Sequence, residues 1–254
     1  MLLQKFCKTM TVPNSLRHIP NTLTLLNLVA GCLAIISTLE GYMHHAAYLL
    51  VLASILDFLD GFVARALRVY SALGRELDSL ADVVSFGVAP SVILYLFLKE
   101  SLGIPAHEGF VHGNAILCIP MVMAAFSALR LAKFNIDTRQ TLSFIGLPTP
   151  ANALLVVGLV FGLNSPHSQY FSYFVGSPGL LIGLTLVLSA LLVSPIPMFS
   201  LKVKSLRFAE AGVQMVFIIL SCIIIFILGK AALTPIMLLY ILICLIRWPF
   251  GVRE

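Results

Sequence analysis

Apolar residues fall into eight runs, at approximately 22–40, 45–65, 77–98, 114–133, 150–162, 179–193, 212–228 and 231–248, with polar residues confined to short connections between them. A helix rises about 1.5 Å per residue, so about 20 apolar residues cross a hydrocarbon layer about 30 Å thick. The pattern predicts an all-α, polytopic membrane bundle of about eight transmembrane helices. The fifth and sixth runs are short and can gain or lose a turn at either end. There is no internal repeat, low-complexity tract or long linker, so a single domain over 1–254 is expected. The first twenty residues lack a signal-peptide layout, because their charged part leads into a full-length run rather than a short apolar core with a cleavage site.

Composition moves the chain out of the soluble class. It is 59% hydrophobic and 11% charged, with a mean hydropathy of +1.02, against about 25% charged residues in a soluble domain. Basic residues alternate from side to side. Fourteen of the 16 Lys and Arg residues precede the first run, follow the second, fourth and sixth, or close the chain, and only Lys99 and Lys230 fall on the other side. Positive residues favour cytoplasmic loops. Both termini and the loops at 66–76, 134–148 and 195–209 are therefore expected in the cytosol, with the protein in the cell (inner) membrane. The net charge of +5 reflects this bias and attraction to anionic membrane lipids; it does not point to nucleic acid. Four of the five cysteines lie in apolar runs and none forms a C-x-x-C pair, so packing is their expected role.

Candidate chemistry is concentrated in the second and third runs. Four of only eleven acidic residues, Asp57, Asp60, Asp78 and Asp82, lie in or beside them. A charged residue at mid-depth in a bilayer costs at least about 2.5–3.5 kcal/mol and marks function by default. One interfacial aspartate has a bland explanation; four do not. The spacings i, i+3 and i, i+4 put each pair on one helical face. The connection between the two runs is short, so both pairs are expected at similar depth near the cytoplasmic leaflet. Four facing carboxylates repel, and divalent cations relieve that repulsion. An all-oxygen site suits Mg²⁺ or Mn²⁺ better than zinc. Gly61, Ala64 and Gly74 lack bulk and let a substrate or helix approach the backbone. Arg65, one turn beyond the aspartates, can neutralise a phosphate, although simple anchoring at the cytoplasmic face also explains it.

Residues 57–82 read D-F-L-D-G-F-V-A-R, eight residues, then G-R-E-L-D-S-L-A-D. This resembles the signature of the CDP-alcohol phosphotransferase family, D-x2-D-G-x2-A-R-x8-G-x3-D-x3-D, at every fixed position. The outer stretches P-N-T-L-T-L-L-N-L at 20–28, S-F-G-V-A-P at 85–90, A-L-R-L-A-K-F-N at 128–135, G-L-P-T-P at 146–150 and L-V-S-P-I-P at 192–197 are similar to the branch whose members make phosphatidylserine. The last two runs carry no interpretable motif.

The resemblance implies that Asp57, Asp60 and Asp78 hold a metal pair, with Asp82 sharing in it and acting as general base. It implies that Gly61, Ala64, Arg65 and Gly74 line a CDP site, helped by Asn21 and Thr24. The implied donor is CDP-diacylglycerol, the implied acceptor L-serine, and the implied assembly a homodimer. No histidine or cysteine is placed as an obvious nucleophile, so a single direct displacement is expected. For the acceptor, Arg130 and Lys133 stand i, i+3 near the end of the fourth run with Asn135 beyond, and an arginine fork can grip a carboxylate. Glycerol 3-phosphate, inositol phosphate or choline are alternative acceptors. A cation transporter also uses intramembrane carboxylates, but here the charges cluster near one face and no inverted repeat accompanies them.

Overall fold

The computed structural model describes residues 18–69, 71–105, 107–109, 113–136, 144–198 and 208–248. Of the basic residues used above to orient the chain, Lys5, Lys8, Arg17, Arg139, Lys202, Lys204, Arg207 and Arg253 lie outside them. Ten α-helices account for most of the described chain: α1 (Ile19–Leu39), α2 (Met43–Leu67), α3 (Ala72–Asp82), α4 (Ala89–Ser101), α5 (Met121–Ile136), α6 (Thr149–Leu163), α7 (Ser168–Val175), α8 (Pro178–Val193), α9 (Phe208–Leu228) and α10 (Leu233–Arg247). The fold is all-α as expected. The only extended pairing among the described residues is a two-residue antiparallel bridge between β1 (Phe144–Ile145) and β2 (Pro197–Met198).

Local chemistry explains the helix limits. Pro20 sits in the first turn of α1, where a missing N–H costs nothing. α2 stops at Arg68, whose φ of 54° is left-handed, with the Val69 N–H returning to the Ala64 carbonyl. Ser71 caps α3 by accepting from the Gly74 N–H at 2.9 Å. Between α3 and α4 the helix widens into a π turn, Val83–Val88, in which the Ala89 N–H reaches back five residues to Val84. Pro90 follows and has no N–H to give to Phe86, so the ordinary register cannot be held through this point.

By length and apolarity five helical stretches can cross a membrane: Ile19–Leu39, Met43–Leu67, Ala72–Ser101, Ala115–Ile136 and Gly212–Arg247. The bent pair α7 and α8 makes six if it is one span. The expected number of eight is not established by this measure, for two physical reasons. α6, with 15 residues, covers only about 22 Å. The stretch Gly212–Arg247, in turn, is one unbroken apolar region by composition. At 36 residues it would be about 54 Å long if straight. The rings of Phe217 and Tyr240 nevertheless meet with centroids 5.9 Å apart, so the chain reverses between α9 and α10. Gly229, with φ +53°, opens the short 3₁₀ turn Gly229–Ala232 where this occurs. The sequence reading also has no counterpart for α7. It meets α8 at 84° and leaves Tyr170 and Tyr173 about three-quarters exposed.

α6 is the buried axis of the bundle. Leu155, Val156, Val157, Leu159 and Val160 are all buried, as expected of a helix that is apolar on every side. α2, α10, the π turn and α7 pack around it. Close approach needs small residues: a side chain at Gly158 would meet Thr234 of α10, and one at Gly162 would meet the Phe171 ring of α7. Outward faces stay apolar, with Leu25, Val29 and Leu33 of α1 and Ile223 and Phe226 of α9 exposed, as befits surfaces that contact lipid.

Candidate active site

α1, α2 and α3 converge to bring the aspartates together. Asp57, Asp60 and Asp78 each present a carboxylate oxygen, and these oxygens all lie within 4.8 Å of one another. Asp82, one turn further along α3, is buried, and Asp57 lies in hydrogen-bonding reach of both Asp78 and Asp82. The two pairs expected from spacing thus become a triad with the fourth carboxylate beside it. Two carboxyls in such contact must share a proton or a cation. Among the described residues the ion pairs are Arg75 with Glu76 and His107 with Glu108; no Lys or Arg bridges any of the four aspartates. An all-oxygen cluster with no Lys or Arg in direct ion-pair contact fits a hard divalent cation.

α1 holds the cluster in place from one side. The Thr24 hydroxyl donates to Asp60 Oδ2 at 2.6 Å and also lies 3.0 Å from the Pro20 carbonyl. Asn27, fully buried, donates through Nδ2 to Asp82 Oδ1 at 3.5 Å, and its backbone carbonyl accepts from the Ser85 hydroxyl at 3.0 Å. Both contacts depend on Gly31: a Cβ there would stand 2.8 Å from the Ser85 Cα, so α1 and the π turn are in backbone contact. Thr24, which the family resemblance places beside CDP, thus contacts the Asp60 carboxylate. Asn27 and Ser85 carry no assigned role in the sequence reading, although both lie in quoted stretches. The visible signal is an amide in the middle of an apolar run, which lipid penalises less than a charge.

The Arg65 guanidinium folds over Gly61, with Nη1 3.3 Å from where a Cβ would stand, and its charge reaches Asp60. Ala64 and Gly61 are half-buried and Arg65 is exposed, so this strip of α2 is open to a ligand. Gly74 packs beside Asn21, whose Oδ1 would be 3.0 Å from a Cβ, joining the start of α1 to the start of α3. On α5 the three acceptor candidates separate. Arg130 is buried, and its charge acts on Asp82 and on Tyr240 of α10. Asn135 donates to the Ser79 hydroxyl of α3 at 2.9 Å. Lys133 is exposed, so of the two cations only Arg130 is drawn into the interior.

This arrangement sets three carboxylates on two membrane helices beside small residues and an arginine. The sequence profile of the CDP-alcohol phosphatidyltransferases matches residues 17–192, and the chain belongs to that family. It is accordingly a transferase, and members of the family are generally dependent on divalent metal. Among its relatives, the CDP-diacylglycerol--serine O-phosphatidyltransferase of Helicobacter pylori strain J99 is 36% identical over 93% of both chains. The enzyme of the same name from Bacillus subtilis is 39% identical over 59% of this chain and 78% of its own. That of Methanocaldococcus jannaschii is 40% identical over 58% and 62%.

Proposed function

We propose that this chain moves the phosphatidyl group of CDP-diacylglycerol onto the hydroxyl of L-serine, forming phosphatidylserine and releasing CMP. The observation that carries the transfer is the triad of Asp57, Asp60 and Asp78 with carboxylate oxygens within 4.8 Å and Asp82 at its edge. The activity for which the relatives are named supports serine as the acceptor.

Asp57, Asp60 and Asp78, with Asp82 sharing, would hold Mg²⁺ or Mn²⁺, as two ions. Bound there, the metal supplies neutralisation of the diphosphate and of the charge that develops on departing CMP. The chain's own residues do the rest. Gly61, Ala64 and Gly74 leave room for the CDP moiety, Asn21 lies beside it, and the Arg65 fork pairs with its phosphate. Asp82 takes the proton of the serine hydroxyl as that oxygen bonds to the lipid phosphorus and the bond to CMP breaks. Thr24 fixes the Asp60 carboxylate and Asn27 the Asp82 carboxylate. Arg130 receives the serine carboxylate, with Lys133 and Asn135 at the outer edge of that region. The same reading takes the whole chain as one domain, working as a homodimer in the cell membrane with the termini and the site on the cytosolic side.

The test is to incubate purified protein with CDP-diacylglycerol, Mn²⁺ or Mg²⁺ and a panel of alcohols, and to identify the lipid product. Phosphatidylserine with stoichiometric CMP is expected. A different head group would overturn serine as acceptor, and absence of CMP release would overturn the transfer.

A further inference from the structure

The G-L-P-T-P stretch opens α6, the buried axis, with unusual polarity. Thr149 and Asn152 are both fully buried. The Thr149 hydroxyl and both ends of the Asn152 amide have no hydrogen-bond partner, and the Arg130 Nε on α5 is likewise buried without one. In lipid an unsatisfied buried polar group costs several kcal/mol. Four such atoms in one packed bundle are hard to account for as packing residues, since Val and Leu fill the same volumes without that cost.

The π turn is the element that both helices adjoin. Gly87 sits against Ser127 of α5, whose Cβ would be 3.0 Å from a Cβ at that glycine, and Arg130 follows Ser127 by one helical turn. The adjacent Phe86 packs in one cluster with Ala153 of α6, whose neighbour is Asn152, and Thr149 precedes Asn152 by one turn. Both helices therefore abut residues 86–87, about one turn beyond Asp82. Tyr240 of α10 closes the region, because the Arg130 charge reaches both it and Asp82 while α10 lies along α6. Thr149 and Asn152 share one helical face. The N-terminus of α6 has no side-chain cap, and its positive end favours an anion.

We propose that the first turn of α6, through Thr149 and Asn152, completes with Arg130 the pocket for the zwitterionic head of the acceptor amino acid. This rests on the reading of an amino-acid acceptor given above. A carboxylate takes hydrogen bonds from Arg130, from the Thr149 hydroxyl and from the Asn152 NH₂. The ammonium group donates to Asn152 Oδ1. Asn is suited to this task because it offers donors and an acceptor on one planar group. The serine hydroxyl is then left pointing towards Asp82, the carboxylate nearest Arg130.

The proposal separates binding from folding. Replacing an orphaned amide by an apolar group of similar size removes a desolvation cost. Asn152→Leu and Thr149→Val are therefore expected to leave the thermal midpoint of the ligand-free protein unchanged or raised. In steady-state assays with metal, Asn152→Leu should raise KM for serine about tenfold or more, the loss of a hydrogen bond to a charged group. Thr149→Val should raise it less, and KM for CDP-diacylglycerol should stay within about twofold in both. A lowered midpoint with both KM values moving together would make these residues structural and overturn the proposal, as would an unchanged serine KM. If the wild-type enzyme transfers to another alcohol, serine fails as the acceptor. The same KM comparison made with that alcohol then decides the pocket on its own.

Discussion

At the scale of single residues, the cost of a group in lipid governs how easily its role is read. Asp57, Asp60, Asp78 and Asp82 are legible in the sequence because four carboxylates in apolar runs have no inexpensive structural explanation. Asn27, Thr149 and Asn152 are not, because a hydroxyl or amide passes for packing until its partners, or lack of them, are known. The site assigns different work to the acids, and this yields a prediction. Asp57→Asn and Asp78→Asn should abolish turnover and also lose most of the affinity for CDP-diacylglycerol. Asp82→Asn should lower kcat by about 10²–10⁴, the usual contribution of a general base, while the KM for CDP-diacylglycerol changes little. Near-normal turnover in Asp82→Asn would move the base elsewhere. Thr24 offers a milder test. Its hydroxyl, 2.6 Å from Asp60, orients a carboxylate that would hold metal, and losing such a partner costs about 10–100-fold in metal affinity. Thr24→Val should therefore need a correspondingly higher Mn²⁺ concentration for half-maximal activity and recover at saturation. A uniform loss at all metal concentrations would place Thr24 on the CDP moiety instead.

At the scale of elements, long apolar runs locate the helices to within a few residues but do not show how they are interrupted. The third run, expected at 77–98, begins earlier, at Ala72, and carries the π turn Val83–Val88 in its middle. Pro90 is visible in the sequence as a missing donor. Whether the chain answers with a kink or with a wider turn depends on what packs there, and here α1 does. Gly31 lets the α1 backbone touch the π turn at Ser85, and that contact sets the height at which Asn27 meets Asp82. A methyl group at Gly31 would meet the Ser85 hydroxyl and also the Ser85 Cα, so turning the side chain aside cannot by itself make room. Gly31→Ala should thus destabilise the protein by about 1–3 kcal/mol, the usual cost of overpacking, and reduce kcat by shifting Asn27 from Asp82. A thermal midpoint and kcat equal to wild type would show that α1 can slide to accommodate the methyl group. α7 escaped the sequence reading for a related reason: eight residues of mixed polar and aromatic character are too short to register as a span, and their place beside α6 is fixed by Phe171 meeting Gly162.

At the scale of the whole molecule, the carboxylate cluster and the distribution of basic residues make one joint claim about sidedness. α2 carries Asp57 and Asp60 in its C-terminal half, and α3 carries Asp78 about two turns in and ends at Asp82, so the triad lies a few helical turns from the connection between Arg68 and Ser71. That connection belongs to a basic segment containing Arg65, Arg68 and Arg75, which positive-residue bias assigns to the cytosol. The hairpin of α9 and α10 lies outside the region matched by the family profile, which ends at residue 192. Tyr240 nevertheless returns to Arg130, so the hairpin is packed into the bundle rather than appended to it. If the connection is cytosolic, the soluble substrate and CMP exchange on the side where nucleotides are made. The prediction uses a variant lacking the five native cysteines with Val69→Cys introduced. In intact cells an impermeant thiol reagent should leave this position unmodified, and labelling should appear once the inner membrane is opened. Labelling from outside would invert the bundle and place the carboxylates on the far leaflet, separating the catalytic site from its nucleotide pool.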